Sequence, residues 1–334
     1  TKVKSTTSYL IAKFLESAGC KVGLSSTIFF KINDKEWLND KKMTMLGRFG
    51  LQRLLSQMAK AGCKYAVIET SSEGIAQYRH AGIDYDIAVF TNLSPEHIES
   101  HGSYDKYRAA KGKLFSNLHY GRNKGIAKTA ILNLDDREVE YFLKLHKNSV
   151  GFTLDGAYRT GLKEIISAKD IIMKDSGSEF TLDGNKFKTD LLGKFNVYNL
   201  AAALAVCKVV GVPLNNLKKI TAEIKSVPGR MEFIREGQDF EVIVDYAHEP
   251  ASMKALFSIV REIPHKRVIH IFGAAGGGRD KARRKILGEI AEQNAGIIIL
   301  TDDDPYEESE IKIINDIRLG IKKKKEGETL FIEK

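Results

Sequence analysis

Short apolar runs rich in β-branched residues alternate along this chain with longer segments whose apolar residues recur at helical spacing. Six runs have the length and composition of buried strands, and polar or glycine-rich turns follow them. They are 65–69, 86–91, 130–134, 241–246, 267–273 and 297–302. The helical segments are 6–18, 50–61, 104–115, 198–210, 251–262, 281–293 and 309–320. This alternation predicts an α/β fold in which helices cover a parallel sheet.

The length and a change of pattern before residue 229 predict two domains. A chain of 334 residues holds about two domains at roughly 150 residues each. The sequence Val227-Pro228-Gly229 separates a helical stretch from a new strand–helix series with its own glycine-rich turn. We therefore place the first domain at 1–228 and the second, which we expect to be incomplete, at 229–334. Two β-rich patches, 27–37 and 171–192, are expected to form hairpins on the first domain.

Composition and charge exclude several classes of function. Lys and Arg number 52 against 43 Asp and Glu, a net charge of +9. No aromatic and basic face accompanies this excess, so we expect no nucleic-acid partner. Strongly apolar stretches such as 297–300 are far too short to cross a membrane, so we expect no membrane partner. Three widely separated cysteines, Cys20, Cys63 and Cys207, favour a reducing cytosol over disulfides or a structural zinc site.

The first six residues have the pattern that closes a phosphate-binding P-loop. Lys4 and Ser5 precede an amphipathic helix, and in a P-loop the lysine reaches phosphate oxygens while the hydroxyl binds Mg²⁺. Val3 stands where that pattern has glycine, and a β-branched residue resists a positive φ. The alternative is a capped helix start with Ser5 or Thr6 near the cap, and these six residues alone favour that alternative.

Polar side chains follow two of the predicted strands. Glu69 ends the first strand, and His97 lies in the polar segment after the strand at 86–91. Ligands bind at the carboxyl ends of parallel strands, where an acid, a histidine and a hydroxyl suit Mg²⁺. Taken singly, Glu69 is a strand-end acid, His97 a packing histidine and Lys111 a surface lysine.

Seven runs spread over nearly the whole chain resemble, in order and with compatible spacing, the motifs of the Mur ligase family. They are 69–79, 89–97, 109–115, 193–202, 227–232, 244–250 and 272–281. Within the family the chain is most similar to the UDP-N-acetylmuramoyl-tripeptide synthetases, which add the third residue of the peptidoglycan stem. The resemblance implies a parallel-sheet, P-loop ATP-binding central domain and a smaller Rossmann-like C-terminal domain. We expect the sequence to lack the family's N-terminal UDP-binding domain.

The resemblance implies an ATP-dependent amide ligase of peptidoglycan synthesis that acts in the cytoplasm as a monomer. Such an enzyme activates a carboxylate as an acyl phosphate, which an amino acid then attacks. The implied substrates are UDP-N-acetylmuramoyl-L-alanyl-D-glutamate, which is a UDP-N-acetylmuramoyl-dipeptide, and a free amino acid. ATP and Mg²⁺ are the implied cofactors. Because the carboxylate and the γ-phosphate are both anionic, cations must neutralise charge as the two approach.

The resemblance also implies roles for residues within the matched runs. The expected catalytic residues are Lys4, Glu69, His97 and Lys111, the last as a carbamate. The expected metal ligands are Ser5, Glu69, His97 and carbamylated Lys111. The expected ATP contacts are Thr1, Lys2, Lys4, Ser5, Thr6, Asn199, Arg230, Asp245 and His248. The expected substrate contacts are Thr44, Ser71, Gln77 and Arg79 for the muramoyl peptide, and Arg279, Asp303 and Asp304 for the incoming amino acid.

Three features depart from the family's pattern. Val3 replaces a P-loop glycine, so we expect weaker nucleotide binding, and Glu73 stands where a histidine is usual. The run Asp303-Asp304-Pro305-Tyr306 stands where diaminopimelate-adding members have Asp-Asn-Pro-Arg, whose arginine grips the second carboxylate. Because Tyr306 cannot form that bidentate pair, we expect the added amino acid to be a basic diamino acid such as L-lysine.

Two other interpretations stay open. One is a ligase of the same superfamily that acts on another acidic substrate, of the folylpolyglutamate or cyanophycin type. The residues that match muramoyl-peptide contacts argue against it. The other is a degenerate, non-catalytic relative, which Val3 suggests. Retention of all four expected catalytic residues argues against that second interpretation.

Overall fold

The structure, a computed structural model, describes residues 2–41, 43–94, 101–122, 124–174, 176–277 and 281–333. Within them the chain forms two compact units. The larger comprises the described residues from 2 to 94 and from 103 to 244, and the smaller comprises 101–102, 245–277 and 281–333. Both have parallel strands connected by helices, so the predicted α/β class is confirmed. In this described part of the chain, no helix is long and apolar enough to cross a membrane.

Four short strands of the larger unit form one sheet. They are β1 (Val22–Ser25), β2 (Phe29–Ile32), β3 (Lys35–Leu38) and β4 (Tyr65–Ile68). Their order is β3-β2-β1-β4, with β1 parallel to β4 and antiparallel to β2. The hairpin predicted at 27–37 is confirmed as β2 and β3. The sequence analysis missed β1, which is buried along its whole length and joins this hairpin to β4.

A second sheet of the larger unit has six strands in chain order. They are β5 (Ile87–Phe90), β6 (Thr129–Asn133), β7 (Ser149–Thr153), β8 (Glu164–Lys174), β9 (Gly177–Leu182) and β10 (Asn185–Thr189). The first four are parallel, and the last two add antiparallel pairs. The hairpin predicted at 171–192 is confirmed as β9 and β10, which extend this sheet beyond β8. β8 pairs with β7 over residues 164–167 and with β9 over residues 168–174, and a bulge between Lys169 and Ile172 interrupts the pairing with β9.

One helix of the larger unit is buried on all sides along most of its length. The seven helices of its described residues are α1 (Lys2–Ser17), α2 (Arg48–Lys60), α3 (Ser72–Ala76), α4 (Tyr104–Ser116), α5 (Val139–Leu143), α6 (Lys194–Val209) and α7 (Lys218–Glu223). Two 3₁₀ turns lie at Asn117–Tyr120 and Leu214–Leu217. Every residue of α6 from 199 to 207 is buried, as expected for a helix in the middle of a core. Because α1 packs against α6, the start of α1 is fixed to this core.

The predicted strand at 241–246 does not belong to a parallel series. Its central residues form β12 (Val242–Val244), which pairs antiparallel with β11 (Glu232–Ile234). Both strands have three residues, are partly exposed and are joined by a short connection. The β-branched residues at 242–244 therefore belong to a two-stranded antiparallel ribbon instead of a buried parallel sheet.

The smaller unit has three parallel strands and three helices among its described residues. They are α8 (Pro250–Val260), β13 (Ile269–Phe272), α9 (Ala282–Asn294), β14 (Ile297–Leu300), α10 (Glu310–Arg318) and β15 (Leu330–Ile332). A Cβ atom at Gly288 would lie 2.1 Å from the carbonyl oxygen of Ile317. Glycine at this position therefore allows α9 and α10 to pack closely.

We expect His270 to make the smaller unit's stability depend on pH. Its ring lies between Phe257 and Phe272, at centroid distances of 5.1 and 4.4 Å, and burial lowers its pKa to about 4. Between pH 6.5 and about 4 this histidine is protonated in the unfolded chain and neutral in the folded one. The free energy of unfolding therefore falls as the pH drops through this range. The loss is about 3 kcal/mol. Urea unfolding at several pH values measures this loss. In His270→Gln the free energy of unfolding is expected to lose that part of its pH dependence, and an unchanged pH dependence contradicts the prediction.

Candidate functional site

The first turn of α1 carries the residues expected to hold phosphate. Lys4, Ser5 and Thr6 lie in this turn, with Ser5 and Thr6 buried. Backbone N–H groups and a lysine at a helix start attract anions. Val3 is also helical and does not have a positive φ, and the weaker nucleotide binding expected from it stays a prediction. Lys2 belongs to the same helix, and Thr1 lies outside the described residues.

Glu69 directly follows β4 and points its carboxylate at α1. The hydroxyl of Ser5 donates to Glu69 Oε1 at 2.9 Å, and the backbone N–H of Thr27 donates to Oε2 at 2.8 Å. The backbone N–H of Glu69 donates to Ser25 O, which extends the parallel pairing of β1 with β4 and fixes the residue. Glu69 is only 3% exposed, so the expectation of an exposed strand-end acid is wrong. Both carboxylate oxygens are held from different parts of the chain.

Two further expected site residues reach the same place. Arg230 Nη2 donates to Ser5 Oγ at 3.2 Å, and its Nη1 donates to the carbonyl oxygen of Gly229. Thr27 Oγ1 donates to Thr44 Oγ1 at 3.0 Å. Ser5 is thus next to one acid and one guanidinium, and Thr27 connects that acid to Thr44. The sequence analysis missed Thr27, because its contribution to the carboxylate is a backbone N–H.

Asn199 makes the contacts of a helix-packing amide. Thr7 Oγ1 donates to Asn199 Oδ1 at 3.3 Å, and Asn199 Nδ2 donates to Asn196 Oδ1 at 2.9 Å. Its side chain is fully buried on α6 and ties that helix to α1. These contacts account for its position without a ligand, and its expected contact with ATP stays a prediction.

The residues expected to touch the muramoyl peptide surround α3. Ser71 caps this helix by accepting from the backbone N–H of Gly74 at 3.1 Å. Arg79 Nη1 donates to the carbonyl oxygen of Met45 at 2.7 Å, which holds the segment containing Thr44 beside α3. Gln77 is exposed at the end of the helix. Arg79 therefore has a structural contact within the larger unit, and all four substrate assignments stay predictions.

Lys111 lies on α4 near the end of another parallel strand. Its Nζ donates to the carbonyl oxygen of Asn92, which follows β5, at 3.3 Å, and it lies 4.8 Å from the ring centroid of Tyr107. The side chain is partly exposed. A helix therefore aims this amine at the carboxyl edge of the six-stranded sheet. His97 lies outside the described residues.

The smaller unit brings its glycine-rich loop, 273–277, against the turn 301–306. The backbone N–H of Gly276 donates to Asp304 O at 3.1 Å, and a Cβ there would lie 2.1 Å from Pro305 O. Asp304 and Tyr306 have φ of +44° and +54°, and the Tyr306 ring packs on Gly277. Asp303 and Asp304 therefore lie beside this loop, and their expected contact with the incoming amino acid stays a prediction. Arg279 lies outside the described residues.

The expected ATP contacts of the smaller unit precede α8. Asp245 and His248 are partly buried in the segment between β12 and α8, and His248 Nδ1 lies 2.9 Å from the carbonyl oxygen of Tyr246. The following residue, Glu249, begins α8 and forms a capping box with Ser252. The segment is thereby anchored at the helix start.

The oxygen atoms beside α1 have the chemistry that Mg²⁺ prefers. Mg²⁺ binds through one or two carboxylates together with phosphate oxygens and water, and Ser5 and Glu69 offer a hydroxyl and a carboxylate in direct contact. Residues 2–41, 43–94, 101–122, 124–174, 176–277 and 281–333 contain no group of three His, Cys, Asp or Glu able to hold a metal. The pair therefore fits Mg²⁺ that shares its other ligands with a nucleotide.

A parallel strand pair, β1 and β4, whose strand-end acid meets a helix start bearing a lysine and a hydroxyl defines an α/β protein of the P-loop nucleotide-binding class. Two family models match the chain. The one described as "Mur ligase middle domain" matches residues 1–207, and "Mur ligase, glutamate ligase domain" matches 229–333. This chain therefore belongs to the Mur ligase family, as its motifs predict.

Relatives and solved structures agree with this assignment. A UDP-N-acetylmuramyl-tripeptide synthetase of Roseiflexus sp. (strain RS-1) is 38% identical over 341 residues, covering 98% of this chain and 66% of the relative. A solved structure of a UDP-N-acetylmuramoyl-L-alanyl-D-glutamate–2,6-diaminopimelate ligase is 28% identical to this chain, with a TM-score of 0.65. The match covers 98% of this chain and 65% of the ligase chain. A Mycobacterium tuberculosis folylpolyglutamate synthase, complexed with ADP and AMPPCP, is 14% identical, with a TM-score of 0.72 and coverage of 100% and 79%. That last likeness shows the fold alone.

Proposed function

We propose that this chain is the ATP-using part of a ligase that adds the third amino acid to UDP-N-acetylmuramoyl-L-alanyl-D-glutamate. The observation that carries the proposal is the buried contact between Ser5 and Glu69 at the start of α1, 64 residues apart in sequence. The chain spans 66% of the length of its Roseiflexus relative, which is named a tripeptide synthetase. That name and the matched muramoyl-contact positions favour a peptidoglycan substrate.

The reaction needs positive charge where two anions meet. Lys4 and the α1 N-terminus would bind phosphate oxygens of ATP, and Arg230, 3.2 Å from Ser5 Oγ, brings a second cation to the same turn. Ser5 and Glu69 would hold Mg²⁺, which supplies further neutralisation of charge when bound. With these charges balanced, a substrate carboxylate can attack the γ-phosphorus of ATP and displace ADP. The amino group of the third residue can then attack the carbonyl carbon of the acyl phosphate, lose a proton and displace inorganic phosphate.

Phosphate release tests this proposal directly. The chain is incubated with ATP, Mg²⁺ and UDP-N-acetylmuramoyl-L-alanyl-D-glutamate, with each of a panel of amino acids. A parallel arm offers a folate and L-glutamate, and another omits the second substrate. Release that requires both the muramoyl dipeptide and an amino acid supports the proposal. Release only with the folate favours the other acidic-substrate ligase, and ATP binding without turnover on any substrate favours the non-catalytic relative.

We expect L-lysine to be preferred over meso-diaminopimelate by roughly a hundredfold in kcat/KM. The second carboxylate of meso-diaminopimelate needs a second cation, and Tyr306, packed on Gly277, offers none. Asp302, Asp303 and Asp304 carry negative charge on the same turn, which repels a carboxylate and attracts a side-chain ammonium. Competition between the two amino acids measures the ratio, and faster use of meso-diaminopimelate contradicts the expectation. Tyr306→Arg is expected to reduce the preference.

A further inference from the structure

Two consecutive arginines of α9 are buried and anchor different loops. Arg283 is 4% exposed and Arg284 is fully buried. Neighbouring residues on a helix point about 100° apart, so their guanidinium groups reach different surroundings. Buried guanidinium groups are costly unless they are paired, so each pairing is expected to be specific.

Arg284 joins the two loops beside which the incoming amino acid is expected. Its Nη1 donates to Glu308 Oε2 at 3.1 Å and to Asp316 Oδ2 at 2.9 Å, and its Nη2 donates to the carbonyl oxygen of Ala275 at 3.3 Å. Ala275 belongs to the glycine-rich loop, and Glu308 follows the turn 301–306. The hydrogen bond from Arg284 lowers the pKa of Glu308 to about 2, so this carboxylate stays charged. One guanidinium therefore fixes both loops.

Arg283 holds the other expected binding segment. Its Nη1 donates to Glu249 Oε1 in a buried ion pair, and Glu249 is the N-cap residue of α8. The same carboxylate oxygen lies 3.6 Å from Nε2 of His248, the residue expected to contact ATP. Arg283 thereby fixes the end of the segment 245–249 to α9.

We propose that Arg283 and Arg284 are positioning residues with separate tasks. Arg283 orients the nucleotide-contacting segment 245–249, and Arg284 orients the amino-acid-contacting loops 273–277 and 301–308. The assignment of each segment to a substrate rests on the proposed function. The division of tasks rests on the contacts of the two side chains.

Steady-state kinetics of two conservative variants test the division, each serving as the other's control. Lysine keeps the buried charge but loses the fork that bonds several partners. Arg284→Lys is expected to raise KM for the amino acid about tenfold and to change KM for ATP by no more than about twofold. Arg283→Lys is expected to raise KM for ATP about tenfold and to change KM for the amino acid by no more than about twofold. Lys285→Met, exposed on the same helix, is expected to change neither. Equal changes of both KM values in both variants overturn the proposal.

Hydrogen–deuterium exchange gives a second readout that does not need turnover. Arg284→Lys is expected to speed exchange in 273–277 and 301–308, including the Gly276 amide that donates to Asp304, and to leave 245–252 unchanged. Arg283→Lys is expected to do the opposite. Uniform acceleration across the smaller unit means general destabilisation and overturns the division. Wild-type chain that turns over no substrate refutes the proposed function, and the exchange pattern still decides whether the arginines hold separate loops.

Discussion

Lys111→Ala is expected to abolish ligation, lowering turnover by about a thousandfold or more while leaving the fold intact. The side chain is partly exposed, and its hydrogen bond to Asn92 O is 3.3 Å long, so its loss costs little stability. Carbamylation of Nζ, which the family resemblance implies, would place two anionic oxygens at the end of β5. Alanine has no amine to carbamylate, so added bicarbonate is not expected to restore activity.

Lys113→Ala is the matched control for this prediction. It lies on the same helix, is exposed, and approaches the ring of Tyr78 instead of the strand end. Phosphate release and thermal melting are measured for both variants. Near-wild-type turnover of Lys111→Ala removes the carbamate role, and equal loss in both variants assigns the effect to the helix as a whole.

Local patterns predicted most of the helices and the buried strands, because these elements carry their own periodicity. The seven predicted helices are present, with each end within four residues of its predicted position. The strands β1 and β7 were missed because each is a short run interrupted by a glycine, Gly23 in β1 and Gly151 in β7. The antiparallel pairing of β12 was missed because composition does not indicate which partner a strand takes.

The chemistry of the site was predictable only where the side-chain type itself indicates a role. Lys4, Ser5 and Glu69 were identified, and the structure brings Ser5 and Glu69 into contact. The contact of Thr27 was not predictable, because any residue there supplies the same N–H. The burial of Glu69 was not predictable either, because it depends on pairing between distant segments.

The two buried arginines show the same limit in the smaller unit. In the sequence, Arg283 and Arg284 stand among charged residues of an amphipathic helix, where solvent exposure is the ordinary expectation. Their acidic partners lie 34, 24 and 32 residues away. Burial of charge becomes visible only when the fold brings those acids to the helix.

Glu69→Gln is expected to lower ligation by roughly a hundredfold to a thousandfold. Glutamine matches the size of glutamate but carries no negative charge for a cation beside Ser5. Its amide oxygen can still accept from the Thr27 N–H, but the amide group that then faces Ser5 is a donor, so the Ser5 hydroxyl proton loses its acceptor. We therefore also expect a loss of about 1–3 kcal/mol in the free energy of unfolding.

The dependence on Mg²⁺ separates these two effects of Glu69→Gln. A folding defect lowers the fraction of active chain and leaves the Mg²⁺ concentration for half-maximal phosphate release unchanged. Loss of a metal ligand raises that concentration in the chain that remains folded. Glu73→Gln, an exposed acid on α3 four residues further along, is the matched control and is expected to leave both quantities unchanged. If the Mg²⁺ dependence of Glu69→Gln is unshifted and its activity falls only in proportion to the folded fraction, Glu69 has a structural role and is not a metal ligand. The variant has then lost only the hydrogen bonding that joins α1 to the end of β4.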